Sequence, residues 1–269
     1  MEKGKIIVIE GTDCSGKETQ SKLLIEKLNN LGKETKYFSF PAYSSPTGKI
    51  VGLSYLGKPY LAEELIMQHS EEIKQRLSLL DKYDEKYLDI VLGVICESLA
   101  HGWFPEGAPH VDSKISSLYY AADRAYNIDN IKEYLNEGIN VILDRYVYSN
   151  MAHQGGKGKT PEERKAIYEW LFKLEFEMMG LPEPDVKLFL HMPTDFTTLL
   201  KQGRTEALDE NEKDLQHLKD AERAYLEVAS QYGFEKISCI IDDSEVSFDN
   251  IKTPQAISEE VYETVSKRL

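Results

Sequence analysis

Residues 5–20 read KIIVIEGTDCSGKETQ. An apolar, β-rich run over 5–9 meets a glycine turn, Gly11-Thr12-Asp13-Cys14-Ser15-Gly16-Lys17, and a helical pattern starts directly after it. The spacing G-x-x-x-x-G-K between a strand and a helix is the setting of a phosphate loop. The glycines let the backbone curl so that successive N–H groups point at one anion, and the helix N-terminus adds the positive end of its dipole. Lys17 then reaches the β- and γ-phosphates of a nucleotide as a point charge. The stretch from Gly11 to Thr19 is therefore the candidate ATP cradle. Its one departure is Glu18, where such loops usually place a Ser or Thr whose hydroxyl binds Mg²⁺; Thr19 follows one place later. Glu18 either suits the first helical turn, where acids are favoured, or helps with the metal.

Outside this stretch the composition is that of an ordinary globular chain. It has 269 residues, 41% hydrophobic and 29% charged, enough for one large α/β domain or two small ones. The formal net charge of −14 argues against a nucleic-acid backbone as partner, because no broad positive field exists to attract one. The three cysteines, Cys14, Cys96 and Cys239, are far apart and form no C-x-x-C pair, which fits a reducing, cytoplasmic setting. No apolar run approaches the ~20 residues of a membrane span. The first residues lead straight into the core strand, and no signal peptide is expected.

Strand patterns recur near 5–10, 35–40, 139–144, 186–192 and 236–241, with helical patterns between them. Runs such as IIVIE, NVILD, VKLFLHM and ISCII read as strands buried on both faces. Alternating β and α of this kind predicts a five-stranded parallel sheet flanked by helices, a three-layer P-loop fold, with ligands at the carboxyl ends of the strands. Residues 58–114 break the rhythm. Helical spacing over about 62–80 and 84–101 is followed by Gly102-Trp-Phe-Pro-Glu-Gly-Ala-Pro109, and the segment reads as a helical insertion within a single domain spanning 1–269. The tail over 253–269 reads as a final amphipathic helix with Pro254 near its start.

Four segments carry the chemistry: the phosphate loop; Phe40-Pro41-Ala42-Tyr43 after the second strand; Tyr120-Ala-Ala-Asp-Arg124 on a helix; and Asp144-Arg145-Tyr146-Val-Tyr-Ser149-Asn150-Met-Ala-His153 after the third strand. Gly180-Leu-Pro-Glu-Pro-Asp185 precedes the fourth strand. On its own, Tyr120 reads as core and Arg124 as a solvated helix charge. Arg145 alone suggests an ion pair with Asp144, and Asn150 a cap or an exposed polar group. Together, in this order, the segments resemble the thymidylate kinase family, which phosphorylates dTMP with ATP.

The resemblance implies roles. Tyr120 would stack on thymine, Arg124 would donate to its O4, Asn150 would meet N3, and Ser149 would lie near the base. Arg145 would contact the phosphates, and Asp13 would serve the acceptor nucleotide through its sugar or its phosphate-bound Mg²⁺. Phe40 belongs to the F-P motif. Tyr43 stands where many members carry Arg for the acceptor phosphate. Tyr at that place and G-K-x-T in the loop occur together in a bacterial variant of the family, in which a glutamate after the lid, here Glu212, helps hold Mg²⁺. His153 occupies a position beside the sugar that is often Tyr. The lid, about 201–213, reads KQGRTEALDENEK, with Arg204 its only arginine. Lys17, Arg145 and Arg204 are thus the expected catalytic cations. A homodimer is expected by family analogy; no nucleic-acid or membrane partner is expected, from the acidic charge and the lack of a long apolar run. The arginine-poor lid keeps open a nucleotide-binding regulator that has lost catalysis, and a kinase for another deoxynucleoside monophosphate is the alternative among enzymes.

Overall fold

The computed structural model describes residues 3–77, 90, 93–94, 98, 103–201 and 214–269. Along the chain come β1 (Ile6–Gly11), α1 (Lys17–Asn30), β2 (Thr35–Ser39), α2 (Pro46–Ile50), α3 (Pro59–Leu77) and α4 (Ser113–Asn136). Then follow β3 (Asn140–Asp144), α5 (Val147–Gly155), α6 (Pro161–Phe172), β4 (Val186–His191), α7 (Thr194–Lys201), α8 (Leu215–Gln231), β5 (Glu235–Ser238) and α9 (Pro254–Ser266). The strands form one sheet in the order β2-β3-β1-β4-β5, and every pairing is parallel.

Both faces of the sheet are covered, as the continuous apolar runs predict. Ile6 and Val8 of β1, with Val141 and Leu143 of β3, face a core completed by Ile128 and Ile131 of α4, Met151 of α5, Leu171 of α6 and Val228 of α8. Ile7 and Ile9, with Ile142 and Leu188, face Leu24 and Leu28 of α1 and Ile257, Val261 and Val265 of α9. Each such side chain contributes roughly 1.5–3 kcal/mol when taken from water. The period-2 alternation of strands thus sorts one hydrophobic run into two cores.

Helix boundaries follow local chemistry. Asp112 caps α4 by accepting from Lys114 N and Ile115 N. Thr160 and Glu163 form a reciprocal capping box at α6, and Thr253 caps α9 with Pro254 in its first turn. One expectation is corrected. The ISCII run gives only a four-residue β5, because the Ser238 hydroxyl bonds Ile240 locally and Ile240 bridges to Ile251. The loop after Pro41 turns helical at Pro46, under a Ser45 cap, and continues as wider π-type turns over Val51–Tyr55. Of the insertion, α3 and residues 103–112 are described; the expected helix over 84–101 falls almost wholly outside the described residues. The far end of the insertion is tied back by Trp103 N to Ser54 O at 2.7 Å and by Tyr55 Oη to Ala108 O at 2.8 Å.

Candidate active site

β3 ends at Asp144 opposite Ile9, two residues before β1 ends at Gly11, so the phosphate loop and Arg145 open on the same sheet edge. Gly11 has no room for a side chain: a Cβ there would sit 2.7 Å from Leu190 O and 2.5 Å from Ser15 Oγ. Cys14 and Gly16 take left-handed backbone, at φ 58° and 77°. Thr12 ties the loop to the end of β4, its hydroxyl donating to Met192 O and accepting from Met192 N. Ser15 Oγ donates back to Thr12 O at 2.7 Å. Glu18 lies on the exposed side of α1, paired with Lys22 at 2.6 Å, and Thr19 beside it is exposed too.

Charge concentrates around Asp13. Its carboxylate meets Arg145 Nη2 at 3.4 Å and Lys201 Nζ at 3.1 Å. Burial pushes the Asp13 carboxyl up, but Arg145, Lys17 and Lys201 outweigh it and hold it below the usual carboxylate range. Lys17 is buried and donates to the carbonyls of Gly11 and Thr12, both at 3.0 Å. Burial, reinforced by Arg145, brings its ammonium down to about 8. Arg145 itself has positive φ, 65°, and its other contacts are Tyr225 Oη and His153 Nε2, each at 3.4 Å. Its ion pair is therefore with Asp13, whereas Asp144 accepts from Tyr37 Oη at 3.0 Å.

A cavity of about 430 Å³ opens from this cluster, and every residue expected at the acceptor nucleotide lines it: Asp13, Phe40, Tyr43, Tyr120, Arg124, Arg145, Ser149, Asn150 and His153. At its far wall Arg124 is buried and bidentate on buried Glu175, Nε to Oε2 at 2.5 Å and Nη2 to Oε1 at 2.7 Å. Asn150 Nδ2 donates to Ser117 O and Glu175 Oε1. Its Oδ1 is buried with no hydrogen-bond partner among the described residues. An acceptor left that way costs about 1–3 kcal/mol, and a ligand N–H would satisfy it. Tyr120 stands edge-on to buried Tyr55, ring centroids 5.6 Å apart. Neither Arg124 nor Asn150 is the solvated group that isolated reading suggests.

Other residues hold the site in shape. Glu10, buried at the end of β1, accepts from Tyr146 N and Ser149 N and from the Ser149 hydroxyl. Burial raises its pKa against those donors. Asp123 accepts from Ala42 N, Ser45 Oγ and Thr47 Oγ1, binding the F-P loop to α4. His153 Nδ1 faces His217 Nε2 at 3.2 Å; burial lowers both imidazoles, His217 to about 4. Glu10, Glu175, Asp123, Lys201 and His217 escape sequence reading. Only Glu10 leaves a trace there, as an acid closing an apolar strand. Arg204 and Glu212 lie outside the described residues.

A phosphate loop on β1, facing a cation cluster and a cavity at the carboxyl edge of a parallel sheet, defines a P-loop kinase acting on a small nucleotide-sized acceptor. A family model described as thymidylate kinase matches residues 107–250. The thymidylate kinase of Schizosaccharomyces pombe is 25% identical over 86% of this chain and 82% of its own length. The probable thymidylate kinase of Methanocaldococcus jannaschii is 27% identical over 91% and 90%. A solved thymidylate kinase structure from Candida albicans superposes with a TM-score of 0.60, covering 98% of this chain and 92% of that one at 21% identity, a likeness of fold. The chain belongs to the thymidylate kinase family.

Proposed function

We propose that this kinase transfers the γ-phosphoryl group of ATP to dTMP. The observation that carries the reading is one cavity beside the phosphate loop, lined by Asp13 and Arg145 and also by Tyr120, Arg124 and Asn150, whose Oδ1 is unsatisfied among the described residues. Thymine N3–H can donate to that oxygen, and the Arg124 edge can donate to O4. The acceptor phosphate then points back toward Arg145. Catalysis is positioning and charge neutralisation, with no covalent intermediate. Lys17 and Arg145 supply cations, and Lys201, first residue of the expected lid, adds another. In this reading Arg204 acts on the transferring group.

The donor set suits Mg²⁺. Asp13 and Asp144 both line the cavity with hard carboxylate oxygens, and Mg²⁺ needs only one or two carboxylates because it keeps several waters and rides on the phosphates. Among the described residues no group of three or more His, Cys, Asp or Glu gathers as a metal cage; Glu212 is the further carboxylate proposed. Held there, Mg²⁺ would supply positive charge against the phosphate oxygens during transfer.

The chain acts as one domain with the 58–114 segment inserted. A homodimer is supported by Ile115, Leu118 and Tyr126, exposed along α4 at spacings that recur on one helix side. No helix of the described residues is long and apolar enough to cross a membrane, in keeping with a cytoplasmic enzyme. The test is a coupled assay with ATP, Mg²⁺ and a panel of nucleoside monophosphates. Fastest turnover with dTMP supports the reading. Turnover of another base best points to a different deoxynucleotide, and binding without turnover to a regulator.

A further inference from the structure

Arg145 is held in a conformation that a non-glycine residue adopts at a cost. Its backbone lies in the left-handed region, at φ 65°, and such strain persists only where the surroundings over-determine it. Its guanidinium makes three contacts among the described residues: Nη2 to Asp13 Oδ1, Nη1 to His153 Nε2 and Nη1 to Tyr225 Oη, each at 3.4 Å. With His153 Nε2 and Tyr225 Oη as acceptors, both hydrogens of Nη1 are engaged. Nε and one Nη2 hydrogen make no hydrogen bond among the described residues, and the Nε–Nη2 edge of a guanidinium fits two oxygens of a phosphate.

The Tyr225 hydroxyl is oriented by what lies behind it. Ser149 Oγ donates to Glu10 Oε2, which uses its single hydrogen. Tyr225 Oη lies 2.7 Å from Ser149 Oγ and 3.5 Å from Glu10 Oε2. Its own hydrogen therefore turns to that side, and its lone pair is left to accept from Arg145 Nη1. The result is a directed chain, Arg145 to Tyr225 to Ser149 to Glu10, in which each hydroxyl accepts once and donates once. It ends on a buried carboxylate, and hydrogen bonds in such a chain polarise one another. The ring is fixed independently. It is buried, stacks on Phe189 with centroids 5.5 Å apart, and meets the His153 ring edge-on at 5.7 Å. The chain thus reaches Arg145, after β3, from α8, α5 and the end of β1.

We propose that Tyr225 is a positioning residue for phosphoryl transfer: its hydroxyl holds Arg145 by Nη1 and leaves the Nε–Nη2 edge to the phosphates. This rests on the nucleoside monophosphate kinase reading. The rival role is a buried tyrosine whose hydroxyl only satisfies Ser149. A double-mutant cycle separates the two. It is run as steady-state kinetics with ATP, Mg²⁺ and dTMP on wild type, Tyr225→Phe, Arg145→Lys and the double variant. Phenylalanine keeps the stack on Phe189 and removes only the hydroxyl; lysine keeps a charge but has no fork to orient. In the wild-type background Tyr225→Phe is expected to lower kcat about tenfold, the scale of one hydrogen bond to a charged group, with the KM for dTMP moving less than about threefold. In the Arg145→Lys background the same change is expected to move kcat less than about twofold, because the partner it acts through is gone. Thermal melts check that each variant is folded at the assay temperature. If Tyr225→Phe is not, Ser149→Ala, which removes the acceptor that orients the hydroxyl, takes its place in the cycle under the same criteria. Unchanged kcat in Tyr225→Phe overturns the proposal, as does an equal loss in both backgrounds, the mark of a role that does not pass through Arg145. Wild type that turns over no nucleoside monophosphate overturns the kinase reading, and this role with it; wild-type turnover leaves Tyr225 alone on trial.

Discussion

Arg124 and Arg145 line one cavity, yet they are held in opposite ways. Arg124 lies fully inside the protein, forked on a buried carboxylate at 2.5 and 2.7 Å. Arg145 makes several contacts at 3.4 Å, to an acid, a phenol and an imidazole, and its side chain keeps 28% exposure. The first arrangement fixes a donor edge before a ligand arrives, which is what reading a base requires. The second is a loose cluster that phosphates can reorganise, as a moving phosphoryl group requires. In the proposed reading the base end is joined to the stability of the fold, and the phosphate end to rate.

That division makes the ends separable by mutation. At the phosphate end, Lys17→Met removes a charge from the β/γ-phosphates and is expected to lower kcat by two or more orders of magnitude, on the order of 3 kcal/mol, with the thermal melt little changed. Near-normal turnover in the folded variant would place ATP elsewhere. At the base end, Glu175→Gln leaves the Arg124 charge buried without its counter-ion. The expected cost is about 3 kcal/mol of stability, read from urea unfolding; a loss below about 0.5 kcal/mol, the range of surface changes, breaks the comparison.

Ligand choice tests the base end directly. Asn150 Oδ1 and Arg124 match an N3–H beside a carbonyl, so dTMP and dUMP are expected to be accepted, and dCMP to be disfavoured by roughly a hundredfold or more in kcat/KM, because mismatched polar groups are left unpaired. Comparable values for dCMP and dTMP would falsify the assignment of these residues. The smallest effect concerns pH. The unfolded His217 imidazole protonates near 6.5, and the folded one only near 4. Between those values the unfolded chain binds more protons, so stability falls as pH falls, by about 2 kcal/mol from pH 7 to 5. His217→Asn should flatten that slope in a pH series of unfolding curves, and an unchanged slope removes the buried neutral imidazole as its cause.

The same two ends were unequally legible in sequence. The phosphate loop declares itself because its chemistry is local: glycines, lysine, strand and helix are contiguous. The five strands read correctly for the same reason, except where Ser238 diverts β5. The base end depends on pairings across the chain. Arg124 looks like a surface charge until Glu175, 51 residues away, is seen beside it, and nothing in the KLEFEM segment announces a counter-ion. The family resemblance placed Tyr120, Arg124 and Asn150 at one cavity, whereas residue types alone pointed to core, solvent and cap. Lys201 carries no sign of its place beside Asp13, because a single lysine closing a helical pattern looks like a solvated charge.

Glu10 ties the two ends together in time as well as in space. It belongs to the strand that launches the phosphate loop, but its carboxylate accepts the backbone N–H groups of Tyr146 and Ser149, at the start of the helix carrying Asn150. That helix start cannot be satisfied until β1 lies beside β3. An intermediate with only one of these strands in place has no base pocket, so nucleotide recognition is reserved for chains whose central strands have paired. The Tyr146 and Ser149 amides should accordingly exchange with deuterium only through global opening, at rates set by the most protected core, although both residues line an open cavity.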